Sequence, residues 1–288
     1  MKAIAYSLFG YNKAKHPDCF DFPSYLRGLS INVRLCRMVY PGWTVILHTD
    51  RETHDAYQRY FELMPITVNV LPSAALTKAM LWRLKPVYEK NWSEEAQGFT
   101  DWKYTHVLCR DLDSPVTYRE AQAVQYWINK DKAIHCITDS VSHNLPMLGG
   151  MIGIRPHYFT ERTNTKTWDE LMSLGAHIDY SNKGADQVFL NSHIYPVFSR
   201  HGHDSVTQHY LEGMPNSFLT DYHREIQPLD LPDVPFEYKC TNDCAVHIGQ
   251  SGWNETPTLK IFNKYEHIFS DIIEAEKKYP LIFYWNNK

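Results

Sequence analysis

The sequence predicts an α/β protein, a single domain built on a mostly parallel central sheet flanked by helices. Three observations carry that expectation. Residues 1–70 alternate strand, helix, strand, helix, strand, which calls for right-handed crossovers and parallel neighbours. Apolar residues make up 43% and charged ones 22% of the 288, the balance of a chain with a sizeable core and not of a disordered one. No run approaches the roughly 18 uncharged apolar residues that a membrane-spanning helix needs.

The elements follow in order. Residues 2–9 are apolar enough for a first strand, and no small-residue cleavage site follows, so the segment does not read as a signal peptide. Leu26, Leu29, Val33, Cys36 and Tyr40 step at the helical period until Pro41-Gly42 ends the run. Thr44–His48 is a short apolar strand ending at Asp50, then come a polar helix at 52–61 and a strand at 66–70. Ser73 is expected to cap a helix with Leu76, Met80, Leu84 and Val87 on one face and Pro86 near its end. A Trp- and Glu-rich loop leads to a strand over 104–109. Thr117-x-x-Glu120 is a capping box opening a helix through Ala121, Val124 and Ile128, in which Tyr126-Trp127 reads as core. Ala133–Thr138 is a further strand, and Thr167-x-x-Glu170 with Gly175 brackets a short helix. Beyond about 200 the sequence is irregular until a closing helix over 263–278.

The 29 Lys+Arg against 33 Asp+Glu give a formal charge of −4, with no overall basic footprint for nucleic acid, although a local basic groove stays open. The six cysteines are scattered, and three lie in apolar patterns, which suits buried reduced thiols and a cytoplasmic protein. Cys240 and Cys244 lack the spacing and the second pair of a zinc site. The 14% aromatic content suits a core as readily as sites for flat rings and sugars.

In open α/β sheets ligands bind beyond the carboxyl ends of the strands. Asp111 and Asp113 stand there, two residues apart, directly after an apolar strand. Two such carboxylates repel each other, and a divalent cation, Mn²⁺ or Mg²⁺, is the usual way to neutralise them. A solvated turn is the other meaning of an Asp-x-Asp. Asp139 and His143 lie in a polar loop that either binds an acceptor or merely turns the chain.

The segment resembles the Asp-x-Asp motif of retaining nucleotide-sugar glycosyltransferases of the GT-A fold, the family that includes glycogenin and bacterial lipopolysaccharide galactosyltransferases. Leu148-Gly149-Gly150-Met151-Ile152-Gly153 is similar to that family's small-residue segment after the motif. Ala185-Asp186-Gln187-Val188-Phe189-Leu190-Asn191 resembles its Asp-Gln-x-x-Leu-Asn pattern, and His247-Ile248-Gly249-Gln250-Ser251-Gly252-Trp253 its His-x-x-Gly-x-x-Lys-Pro-Trp. The order and spacing match over about residues 1–255, with Gly249 one residue too close to His247 and the Lys-Pro absent.

The resemblance implies a GT-A (Rossmann-like) fold with a nucleotide-binding half over 1–113, an acceptor and sugar half over 114–255, and a C-terminal helix over 256–288. It implies a metal held by Asp111, Asp113 and His247, with Asp186 orienting the sugar and Gln187 near the anomeric carbon. Gly149 and Gly150 would lie against sugar and acceptor, and the loop from Ser7 to Asn12 would hold the nucleotide together with Arg83. Lys85 and Lys78 are the substitutes for the missing diphosphate lysine. The implied donor is a UDP-sugar, and the acceptor a glycan, a protein or a hydroxylated DNA base. Two other classes remain open: a haloacid-dehalogenase-type phosphotransferase, disfavoured because the motif lies so late in the chain, and a nucleotide- or glycan-binding protein without turnover.

Overall fold

Burial along the first strand decides the layering. β1 (Lys2–Leu8) turns Ala3 and Ala5 to one side and Ile4, Tyr6 and Leu8 to the other, and all five are buried. A strand apolar on both faces needs helices on both. The computed structural model describes residues 1–11, 22–138, 145–199, 206–210 and 224–228. It supplies those two helical layers, and the fold is α/β with a mostly parallel sheet, as the sequence predicts.

After β1 come α1 (Phe22–Val39), β2 (Thr44–Asp50), α2 (Arg51–Glu62) and β3 (Thr67–Leu71). A five-residue α3 (Leu76–Met80) runs into a 3₁₀ helix over Leu81–Tyr88. Next are the strands β4 (Lys90–Ser93), β5 (Gly98–Trp102) and β6 (His106–Arg110), then α4 (Tyr118–Lys130), β7 (Ile134–Thr138) and β8 (Met151–Ile154). The short helices α5 (Pro156–Thr163), α6 (Trp168–Ser173), α7 (Ala185–Phe189) and α8 (Tyr195–Ser199) follow, with a π-helical turn at Leu190–Ile194 between the last two. β9 (Val206–Tyr210) and β10 (Arg224–Pro228) complete the described elements.

Eight strands form one sheet in the order β10-β9-β7-β8-β6-β1-β2-β3, and only β8 runs antiparallel to its neighbours. α1 covers one face through Leu29, Val33 and Cys36, with Trp127 of α4 on the same side. The 3₁₀ helix, α5 and the α7–α8 region cover the other through Leu81, Leu84, Phe159, Phe189 and Phe198. β4 and β5 make a separate antiparallel hairpin in which exposed Trp92 and Phe99 meet edge to face.

Three expectations need correction. Ser73 does not cap the third helix: the N-cap position is Ala75, which makes no side-chain bond, and the α-helix lasts only one turn. The stretch through Leu84 and Val87 is a 3₁₀ helix with Pro86 inside it. The loop between residues 88 and 104 contains the β4–β5 hairpin, and the Gly-rich segment continues directly into β8. Both Thr caps form, Thr117 Oγ1 accepting from Glu120 N–H at 3.1 Å and Thr167 Oγ1 from Glu170 N–H at 3.2 Å. Cys36, Cys109 and Cys136 are buried, as the apolar patterns around them imply. Cys19, Cys240, Cys244 and the expected closing helix lie outside the described residues. Among the described residues no helix is long and apolar enough to cross a membrane.

Candidate active site at the carboxyl end of the sheet

β1 leads to β2 on one side and pairs with β6 on the other, so the strand order reverses between β1 and β6. That reversal opens a crevice at the carboxyl ends of the two strands. Asp111 leaves β6 at this point. Alternation along the strand turns it to the same side as Cys109, toward the 3₁₀ helix, and the Arg83 guanidinium hydrogen-bonds and ion-pairs with its carboxylate. Arg83 is fixed from both ends, since its own carbonyl accepts a bond from Cys109 Sγ at 3.4 Å. Its other terminal nitrogen lies 3.7 Å from Asp186 Oδ2, in the first turn of α7. Arg83 thus joins a strand end, a 3₁₀ helix and a third element more than 100 residues away.

The charges do not balance. Burial raises the Asp186 carboxyl above the usual carboxylate range despite the lowering by Arg83, and the residue is 2% exposed. Asp186 Oδ2 is buried and makes no hydrogen bond. Asp113 is pushed up to about 7, first by burial and then by the charge of Asp111. Two adjacent carboxylates resisting joint ionisation are the donor set that a hard divalent cation suits, so both residues fit a metal role. Among the described residues no group of three or more His, Cys, Asp or Glu side chains could hold a metal ion. The third expected ligand, His247, lies outside the described residues, as do Asn12, Asp139 and His143.

Gly149 and Gly150 close the crevice from the turn that enters β8, the strand that pairs with β6 where Arg110 faces Met151. A β-carbon at Gly149 would stand 2.6 Å from Arg83 Nη2, and one at Gly150 would collide with the Asp111 carboxylate. Only glycine lets the backbone come this close to the ion pair. The approach is held by Asn191, whose Nδ2 donates to the Met147 and Gln187 carbonyls at 2.8 Å each while its Oδ1 accepts from Met147 N–H at 3.0 Å. Gln187 spans the same segment: with its amide turned to satisfy both groups, its nitrogen donates to Met147 O at 3.0 Å and its oxygen accepts from Gly149 N–H at 3.2 Å.

Five of the residues singled out from the sequence therefore meet: Arg83, Asp111, Asp186, Gly149 and Gly150. Gln187 stands at the edge of this group. Ser7 lies at the end of β1 beside His48, with its hydroxyl buried and unpartnered. Beyond it, Asp50 caps α2 and accepts from Gly10 N–H at 2.8 Å, which fixes the start of the loop that includes Tyr11. Lys85 sits elsewhere, its ammonium 4.7 Å above the Trp168 ring. Sequence reasoning missed Asn32 and Arg110, both buried, which brace the loop after β6 through its backbone. The only hint of them was their polarity inside apolar runs.

No family model matches the chain, and no curated protein matches it. Solved structures similar to it include 4-diphosphocytidyl-2C-methyl-D-erythritol synthase from Anaerococcus prevotii DSM 20548, 8% identical over 81% of this chain and 91% of that one, with a TM-score of 0.38. Mouse xyloside xylosyltransferase 1 in its apo form is 14% identical over 68% of this chain and 83% of its own, with a TM-score of 0.35. Likenesses this distant carry no part of the functional reading, which rests on the side chains.

Proposed function

We propose that the protein is a metal-dependent glycosyltransferase that moves a sugar from a nucleotide diphosphate sugar, a UDP-sugar by the resemblance of its motifs, to a hydroxyl acceptor with retention. One observation carries this reading. Arg83 stands between two carboxylates, Asp111 and Asp186, at the sheet's switch point, with a glycine pair pressed against it. Asp111 and Asp113 would hold a Mn²⁺ or Mg²⁺ ion, with His247 as the third ligand by the resemblance of its motif. When bound, that ion supplies charge neutralisation for the donor's diphosphate and its leaving group.

The chain's own groups do the rest. Arg83 holds the Asp111 and Asp186 carboxylates in place and brings its positive charge to the side of the crevice that takes the diphosphate. The unbonded Asp186 Oδ2 accepts a sugar hydroxyl, and Gln187 keeps the 147–149 backbone in place beside the anomeric carbon. Gly149 and Gly150 admit sugar and acceptor close to the main chain, while Ser7, and by the resemblance Asn12, would bind the nucleotide. In the transfer the bond from the anomeric carbon to the diphosphate oxygen breaks and a bond to the acceptor oxygen forms on the same face. The acceptor's proton passes to the departing diphosphate, so no protein nucleophile is required. Thermal-shift measurements against a panel of nucleotide sugars, with and without Mn²⁺, test the reading. Stabilisation by a UDP-sugar only with the metal is expected, and indifference to every nucleotide sugar contradicts it.

A further inference from the structure

The two carboxylates after β6 repel each other, yet the loop that carries them is tied by two buried side chains. Asn32 of α1, fully buried, donates from Nδ2 to the Leu112 carbonyl at 3.3 Å and the Ser114 carbonyl at 2.9 Å, and accepts from Val116 N–H at 3.0 Å. Arg110, 1% exposed, donates to the Gly150 carbonyl at 2.7 Å, to Ser114 Oγ at 3.3 Å and to the Pro115 carbonyl at 3.3 Å. Its Nε stands 3.2 Å from Glu120 Oε1, equally buried on α4. One guanidinium thus spans the outgoing loop, the glycine segment opposite and a helix. Asn32 and Arg110 reach the site through backbone carbonyls and the Ser114 hydroxyl, and neither hydrogen-bonds the Asp111 or Asp113 carboxylate. A buried ion pair is weak support for stability, because an apolar pair of similar volume is often as stable or more so.

We infer that Asn32 and Arg110 are positioning residues: they hold the Asp111–Asp113 loop and the Gly150 backbone at the spacing that a divalent cation and the donor require. This rests on the glycosyltransferase reading and deepens it. Without the frame, backbone at 112–116 is free to let the two carboxylates move apart, and cation affinity falls although both ligands remain.

The test separates positioning from stability. In the double variant Arg110→Met/Glu120→Leu the buried charges are replaced together, and the tether to Gly150 is lost. In Arg110→Lys the charge remains beside Glu120, but the planar fork that reaches three acceptors does not. Mn²⁺ affinity by titration calorimetry, the thermal midpoint, and hydrogen exchange of the 111–116 amides are measured for each. Both variants are expected to melt within a few degrees of the wild type, to bind Mn²⁺ about tenfold or more weakly, and to exchange the 111–116 amides faster. Wild-type Mn²⁺ affinity in both variants overturns the inference alone. Absence of Mn²⁺ binding by the wild-type protein overturns the glycosyltransferase reading and the positioning role with it. Should the double variant fail to fold, Arg110→Lys decides by the same readings.

Discussion

A methyl group is enough to block the crevice. At Gly150 it would overlap the Asp111 carboxylate, whereas at Gly98, in the exposed hairpin, it would meet only the Ala96 carbonyl oxygen at 3.6 Å. Gly150→Ala is expected to abolish Mn²⁺-dependent nucleotide binding and to lower stability by about 1–3 kcal/mol through overpacking, while Gly98→Ala leaves both unchanged. Calorimetric titration beside thermal melting checks this, and a Gly150→Ala protein that binds as the wild type contradicts it. Asp111→Asn and Asp113→Asn should each abolish sugar transfer with the circular dichroism spectrum intact, since Asp186 remains beside Arg83 and the amide oxygen that Asp111→Asn leaves can still accept from it. Full activity of either variant, or of the wild type in excess chelator, is the contrary result.

Some elements were legible in the sequence and others were not, for physical reasons. The period-two and period-3.6 patterns of β1, α1, β2, α2 and α4 are long enough to be read, and Thr117 announces its helix by a hydroxyl in the right place. The stretch after Pro72 misleads because Leu76, Met80, Leu84 and Val87 mimic an α-helical stripe. Its true repeat is three: Leu81, Leu84 and Val87 fall on one edge of the 3₁₀ helix and are all buried. The hairpin was missed because its aromatic residues face each other and solvent, not the core. β8 is four residues long and carries a glycine against Trp127, too short for any period to register. The residues that meet the crevice advertise themselves by charge or by glycine, whereas Asn32 acts on backbone carbonyls, which no side-chain pattern encodes. Asn32→Leu, which leaves the Val116 N–H and two carbonyls without their partner, should cost about 2–3 kcal/mol, measured by urea unfolding. An unchanged midpoint would show that water replaces the amide without loss.

At the scale of the whole fold, the buried histidines among the described residues cost stability in acid. Burial holds His48 down at about 3 and His106 at about 4, and His135, stacked on Trp127, is lowered as well. The unfolded chain takes up these protons near 6.5, the folded chain only below those values. Between them unfolding binds protons, so stability is full above pH 6.5 and declines as pH falls, by up to about 1.4 kcal/mol per pH unit for each histidine. The raised Asp113 and Asp186 carboxyls act in the opposite direction over the same window but are common to both proteins, so His48→Gln should lose less thermal stability than the wild type between pH 6.5 and 4; equal slopes in the two proteins would contradict the assignment. Above that window the same fold holds the carboxylates of β6 and α7 around Arg83, and this arrangement is what the functional account depends on. The most direct measurement is calorimetric titration of UDP into the wild type and into Asp111→Asn, each with and without Mn²⁺. The account predicts binding that needs both the metal and Asp111. Metal-independent binding of equal strength in the two proteins would contradict it.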